Sequence, residues 1–232
     1  MAEYGVVIPV YNADGYLPEL LGRISSLNVS NLEVLIVDDG SVKPVEIAKY
    51  GGLAIHIVRH AENAGKGAAL KSGFAYFLKN QTIRAVITID ADLQHTPELI
   101  PEFIRLFEQG GGDLVIGTRK RDPKTMPLHR IASNAITTGM ISRMIGQPAF
   151  DSQCGFRLYS REVLSSIQPK EQRFHLESEY LIRSGWAGFR IASVPIPTIY
   201  NGAPSAIRNL PDTLNFISLI CRLSIERMRS HV

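Results

Sequence analysis

Two aspartates one residue apart, Asp90 and Asp92, close the segment Ala85-Val-Ile-Thr-Ile-Asp-Ala-Asp-Leu-Gln-His95. The residues before them are rich in β-branched side chains, which favour a buried strand. Alternate side chains of an extended chain point the same way, so the two carboxylates can converge at the strand's end. Two hard oxygen donors there suit Mg²⁺ or Mn²⁺, above all an ion shared with phosphate oxygens. A solvated Asp-rich turn without metal is the competing reading of so short a motif.

Three further groups could do related chemistry. Asp38-Asp39-Gly40-Ser41 ends a second apolar run, where carboxylates can accept hydrogen bonds from a base N–H or from ribose hydroxyls. An ordinary Asp/Gly turn reads the same way. Glu62-Asn63-Ala64-Gly65-Lys66-Gly67 opens a helix, and glycines, a lysine and a helix N-terminus together make an anion site. It is not a P-loop, because His60 stands where that spacing needs glycine, and it lacks the dinucleotide fingerprint. Arg119, Lys120, Arg121, Lys124 and Arg130 form a basic cluster that is either a solvated face or a grip on phosphate. Asp151, Glu177 and Glu179 are carboxylates of the second half that could reach the site. His95, His129 and His175 have no zinc spacing.

The elements that must position these groups alternate in the first half. Strands are expected at Tyr4–Val10, Leu32–Val37, Leu53–Val58, Ala85–Ile89 and Leu114–Gly117. Helices are expected at Tyr16–Leu27, briefly after Pro44, at Gly67–Leu78, and from Thr96, a candidate N-cap, with Pro101 bending the last. This rhythm implies an α/β fold with a mainly parallel sheet covered by helices on both faces. In the second half Lys120–Pro127 reads as a loop, Leu128–Ile145 as a helix and Gly146–Phe156 as a loop. Glu171–Ser184 contains a helix, and Phe189–Ile199 a strand whose prolines at 195 and 197 suit an edge. Tyr200–Pro211 reads as a loop.

Residues 212–229 have helical periodicity, with Leu214, Ile217, Cys221, Ile225 and Met228 on one face, widened by Phe216, Ile220 and Leu223. Such a helix packs on its own domain, lies in a lipid interface or forms a dimer contact. The expected organisation is a domain over 1–211, with halves at 1–118 and 119–211, followed by this helix at 212–232.

A chain of 232 residues with 45% apolar and 20% charged residues can bury a sizeable core. A net charge of +3 is too small to argue for nucleic acid as a partner. The two cysteines, Cys154 and Cys221, have no metal-like spacing and suit free thiols in a reducing compartment. Neither a secretory signal nor an 18-residue apolar window is present, so a cytoplasmic protein, or one peripheral on the inner face of the membrane, is expected.

Taken in order, Ile8-Pro-Val-Tyr-Asn12, Val37-Asp-Asp-Gly-Ser41, Asn63-Ala-Gly-Lys-Gly67, Asp90-Ala-Asp-Leu-Gln-His95, Gly117-Thr-Arg119, Cys154-Gly-Phe-Arg157 and Val194-Pro-Ile-Pro-Thr-Ile-Tyr200 resemble the family 2 glycosyltransferases of GT-A fold. The resemblance is to the branch of dolichol-phosphate mannose synthases and polyprenyl-phosphate sugar transferases. It implies a single Rossmann-like GT-A domain, with its nucleotide-sugar-binding half at 1–118 and its acceptor-side half at 119–211, and inverting transfer from a GDP- or UDP-sugar to a polyprenyl phosphate. Transfer to a saccharide or lipid hydroxyl is the alternative, and a non-catalytic nucleotide-sugar-binding subunit is another.

The resemblance also implies roles. Pro9, Tyr11, Asn12, Asp38 and Asp39 would line the nucleoside pocket, with Gly65, Lys66, Asp90 and Ala91 along the nucleotide. Asp90, Asp92 and Gln94 would hold Mg²⁺ or Mn²⁺. Arg119, Arg130 and Ser133 would meet the acceptor phosphate. Asp92, Asp151 and Glu177 would act at the reacting centre, and Glu179 lies near a family acidic position. Ala206 stands where a lysine is expected, with Arg208 as its possible replacement.

Overall fold

The computed structural model describes every residue except 1, 13, 14, 121, 122, 124, 125, 174, 200–208, 231 and 232. Arg121, Lys124, Ala206 and Arg208, and most of the Tyr200–Pro211 segment, therefore lie outside the described residues. The chain divides into two compact units, residues 1–201 and 202–232.

The first unit is built on a seven-stranded sheet of order β3-β2-β1-β4-β6-β5-β7. Its strands are β1 (Tyr4–Val10), β2 (Leu32–Asp38), β3 (Ala54–Arg59), β4 (Ala85–Thr88), β5 (Leu114–Arg119), β6 (Arg157–Ser160) and β7 (Ile191–Ile196). The helices are α1 (Leu17–Ser25), α2 (Lys66–Leu78), α3 (Ile100–Glu108), α4 (Leu128–Ile145), α5 (Arg161–Ser166) and α6 (Leu176–Trp186). Strands β1 and β4 run through the centre as near-continuous apolar segments, as strands covered on both faces must. On α1, Leu17, Leu20, Leu21 and Ile24 recur at helical spacing and are all buried. The edge strand β3 is half-exposed, and β7, with Pro195, forms the other edge.

One reversal matters for function. Strand β6 is antiparallel to both β4 and β5, and its first residue, Arg157, pairs with Thr88 at the end of β4. The loop entering β6 therefore arrives at the sheet edge where β4 delivers Asp90 and Asp92. Thr88 Oγ1 fixes it there by donating to the Gly155 carbonyl at 2.8 Å.

Four expectations need correction. No helix follows Pro44; only Val45 of that segment is buried, and its N–H is held by Asp38 Oδ2 at 3.3 Å. Thr96 makes no side-chain cap. A 3-10 turn over Pro97–Leu99 separates it from α3, so Pro101 sits in the first turn of a new helix, where its missing N–H costs nothing. Strand β6 and helix α5 have no counterpart among the expected elements, because four residues beginning with arginine give no strand pattern.

The fourth correction concerns the second unit, which contains α7 (Asn209–Ser230). Phe216, Leu219 and Leu223 are its buried side chains, whereas Ile217, Cys221, Ile225 and Met228 are exposed. The broad apolar face splits into a buried and an exposed stripe. The side chain of Leu214 lies outside the described residues. No helix among the described residues is long and apolar enough to cross a membrane.

Candidate active site

At the end of β2 the two aspartates organise loops. Asp38 accepts from the N–H of Ser41 (2.9 Å) and of Val45 (3.3 Å), with Arg59 Nη1 at 3.2 Å. Burial works against its charge, but the Ser41 and Val45 hydrogen bonds and Arg59 outweigh it and hold the carboxyl below its ordinary range. Asp39 accepts from the N–H of Ala64 (3.1 Å) and Gly65 (2.8 Å), which ties the glycine loop to β2. Gly40 is required beside them: its φ is +73°, and a Cβ would lie 2.5 Å from the Glu62 carbonyl carbon. Asn12, at φ +51°, exchanges hydrogen bonds with the same turn through Ser41 Oγ and the Val42 N–H, each at 2.9 Å. Tyr11 is exposed beside it, and Pro9 is partly exposed in β1.

His60 completes this arrangement, although its sequence carried no signal beyond a lone histidine. Its Nδ1 lies 2.7 Å from Asp39 Oδ1 and its Nε2 lies 2.8 Å from Ser72 Oγ of α2. A carboxylate only accepts, so Nδ1 carries the proton. The histidine thus braces Asp39 against the helix that Lys66 begins.

The expected anion loop delivers Lys66 into a carboxylate cluster. Its Nζ lies 2.7 Å from Asp90 Oδ1 and 3.3 Å from Glu177 Oε2. Burial disfavours the ammonium, but Asp90 and Glu177 outweigh this and raise its pKa. Desolvation works against the charge of the partly exposed Asp90 too, yet Lys66 and a His95 contact at 3.5 Å keep its carboxyl well below the usual range. Asp92 moves the other way, raised first by burial and then by the charge of Asp90. Its Oδ1 accepts from the Gln94 N–H at 3.0 Å, in a turn where Leu93 has φ +56°. Ala91 is buried between the two aspartates.

Among the described residues, no three acidic, histidine or cysteine side chains gather into a closed metal cage. Two mutually repelling carboxylates on one turn instead fit a divalent cation that takes its remaining oxygens from a bound diphosphate.

The loop before β6 joins this cluster to a second one. A Cβ on Gly155 would lie 2.7 Å from Asp90 Oδ2 and 2.8 Å from Lys66 Nζ, so only glycine leaves room for that ion pair. Arg157 is fully buried and donates to the carbonyls of Cys154 (2.7 Å), Ser152 (2.8 Å) and Glu177 (2.7 Å). It ties the loop to the start of α6. At the loop's other end, Asp151 receives Arg119 in a two-point contact, Nε at 2.7 Å and Nη2 at 3.0 Å. Asn134 of α4 donates to the same carboxylate. Burial pushes Asp151 up, but Arg119 first and Asn134 next outweigh it, so its carboxyl sits below the ordinary range.

The acceptor-side expectations are partly brought together. Ser133 lies on α4 within 3.5 Å of Gln153 in the Asp151 loop, and Arg130 sits one helical turn before Asn134; both are exposed. Glu177 enters the site, and its Oε1 is buried without a hydrogen-bond partner among the described residues. Glu179 does not enter. It lies two positions on, round the far side of α6, and accepts from the N–H groups of Lys170 (3.0 Å) and Glu171 (2.8 Å) and from Arg183 Nε (2.7 Å).

The family model described as Glycosyl transferase family 2 matches residues 5–168, which include both clusters apart from Glu177. The chain belongs to this family. This glycosyltransferase is 32% identical over 203 residues to the dolichyl-phosphate hexose transferase of Haloferax volcanii, covering 85% of each chain. It is 34% identical over 170 residues to the undecaprenyl-phosphate 4-deoxy-4-formamido-L-arabinose transferase of Erwinia tasmaniensis, covering 70% of this chain and 50% of that one. Its fold resembles the glucosyl-3-phosphoglycerate synthase of Mycobacterium tuberculosis, solved with Mn²⁺, UDP and glucosyl-3-phosphoglycerate. The TM-score is 0.63 at 23% identity, over 88% of this chain and 73% of that one. The GT-A architecture expected from the motifs is therefore the fold of this protein.

Proposed function

We propose that this glycosyltransferase moves a hexose from a GDP- or UDP-sugar to a polyprenyl phosphate, with inversion at the anomeric carbon. The observation that carries the choice of acceptor is the Arg119–Asp151 pair. Asp151 is ionised, doubly bound and held below its normal pKa, so it is a poor proton acceptor and a good fixture for the arginine. A phosphate acceptor is already an anionic nucleophile and needs no base. Relatives named as dolichyl-phosphate and undecaprenyl-phosphate transferases support the same reading.

In this reading Pro9, Tyr11, Asn12, Asp38 and Asp39 hold the nucleoside, with Gly65 and Ala91 against the nucleotide. Asp90 and Asp92, with Gln94 beside them, hold Mg²⁺ or Mn²⁺. That cation supplies charge neutralisation for the departing nucleoside diphosphate. Lys66 adds a fixed positive charge at the same end. Arg119, Arg130 and Ser133 draw the acceptor phosphate to the face of the sugar opposite the diphosphate. Mn²⁺-dependent hydrolysis of the donor, absent in Asp92→Ala and on chelation, is the expected behaviour. Full activity in EDTA would remove the metal from the account.

The second reading, transfer to a saccharide or lipid hydroxyl, rests on Glu177. Its unpartnered Oε1 is the atom that would take the hydroxyl proton. Replacement by Gln then abolishes transfer to hydroxyls, whereas transfer to a phosphate survives it.

A further inference from the structure

The segment that leads into α6 is built against the glycine loop. The Gln172 carbonyl accepts from the Ala68 N–H at 2.8 Å, so it takes one of the amides that open α2. A Cβ on Gly67 would lie 2.5 Å from the Arg173 carbonyl oxygen, and one on Gly65 would lie 3.1 Å from the Gln172 oxygen. Two glycines therefore let residues 172 and 173 lie directly on the start of α2. The segment is pinned on both sides of this contact. Glu179, fully buried on α6, accepts from the Lys170 and Glu171 N–H groups, and the Arg173 carbonyl accepts from the Leu176 N–H at 3.1 Å. Glu179 thus acts near the site without entering it, by holding the segment that abuts both neighbours of Lys66.

This fixed backbone carries an exposed arginine. Arg173 lays its stem over the loop, with Cγ 3.2 Å from the Cβ position of Gly65. Its guanidinium makes no hydrogen bond or ion pair among the described residues. Charge gives it a use. Asp90, Asp92 and Glu177 gather round the single ammonium of Lys66. A divalent cation would only cancel the surplus of that cluster, and the charge of a diphosphate arriving there would be left unmatched. Arginine answers phosphate through two parallel N–H bonds.

We propose that Arg173 is a donor-binding residue, whose guanidinium grips the diphosphate of the nucleotide sugar from the rim of the glycine loop. The inference rests on the donor reading above and adds to it a residue from the second half of the chain. The two cations differ in kind. Lys66 is committed to Asp90 and Glu177, whereas the Arg173 side chain can turn onto the ligand while its backbone stays fixed. An exposed side chain on a pinned segment can also be removed without disturbing the fold.

The test is titration calorimetry of the full chain with UDP and with GDP, in the presence of Mn²⁺. Arg173→Ala is expected to weaken binding of whichever diphosphate the wild type takes by about ten-fold, the scale of one charge-assisted contact, with an unchanged circular dichroism spectrum. Arg173→Lys keeps the charge without the two-pronged geometry and should recover part of the loss. Ligand-observed NMR with uridine or guanosine should read the same affinity in all three proteins, since a nucleoside offers no phosphate. Wild-type diphosphate affinity in Arg173→Ala overturns the proposal. So does an equal loss of nucleoside binding, which would make the arginine a structural part of the pocket. A loss confined to a short prenyl phosphate, with diphosphate affinity intact, would move the arginine to the acceptor and overturn it too. Failure of the wild type to bind either diphosphate would overturn the donor reading itself, and the inference with it.

Discussion

Asp151 and Arg119 show how a buried charge is spent. The carboxylate is used to orient a guanidinium, and its depressed pKa makes the pair's contribution depend on pH. A carboxyl depressed on folding stabilises the native state fully above its unfolded pKa of about 3.9, and the effect fades as pH falls through the folded value. Asp151→Asn is therefore expected to cost ~3 kcal/mol near neutrality, as breaking a buried pair does. Urea denaturation should show the gap to wild type constant above about pH 5 and narrowing below pH 4; a gap that persists unchanged into acid would contradict the pairing. His60 makes a second residue-scale claim, that it positions Asp39 for the nucleoside. His60→Ala is expected to weaken UDP or GDP binding by about ten-fold, the scale of one charge-assisted hydrogen bond. His60→Asn, which keeps an N–H near the Nδ1 position, should recover most of it. Equal calorimetric affinities for all three proteins would make His60 a packing residue only.

At the scale of elements, the first half of the fold was legible because its signals are long and local. Strand β1 matches its apolar run residue for residue, and Asp90 and Asp92 do follow the end of β4. The second half was less legible because tertiary contacts decide it. Arg157 begins a central strand only because three carbonyls receive its guanidinium inside the core. Glu177 and Glu179 looked alike as acidic residues, and only the register of α6 turns one inward to Lys66 and the other away. His60 had no sequence signal, since its partners come from two other elements. The tight loop before β6 carries its own consequence. Gly155→Ala pushes a methyl group between Asp90 and Lys66, and a misplacement of about 1 Å there is expected to lower kcat roughly a hundred-fold. Thermal denaturation close to that of wild type would show that the loss is local; wild-type kcat would mean the ion pair can open without cost.

On the scale of the whole molecule, the antiparallel β6 strand organises the site. It returns the chain to the sheet edge at the end of β4, so the cluster around Lys66 and the cluster around Arg119 and Asp151 are joined by one short loop, Asp151–Arg157. Lys66 and Asp90 come from the first half of the sequence and Asp151 and Glu177 from the second, and α4 adds Asn134 to the Asp151 cluster from outside the sheet. The central claim is that the nucleophile meeting the sugar is a phosphate oxygen. Phosphorus NMR of a short polyprenyl phosphate incubated with the protein, Mn²⁺ and a UDP- or GDP-hexose reads this directly. The account predicts that the phosphomonoester resonance is replaced by that of a glycosyl phosphodiester, with nucleoside diphosphate released in equal amount. An unchanged phosphomonoester signal, while the same donor glycosylates a hydroxyl-bearing acceptor, would contradict it.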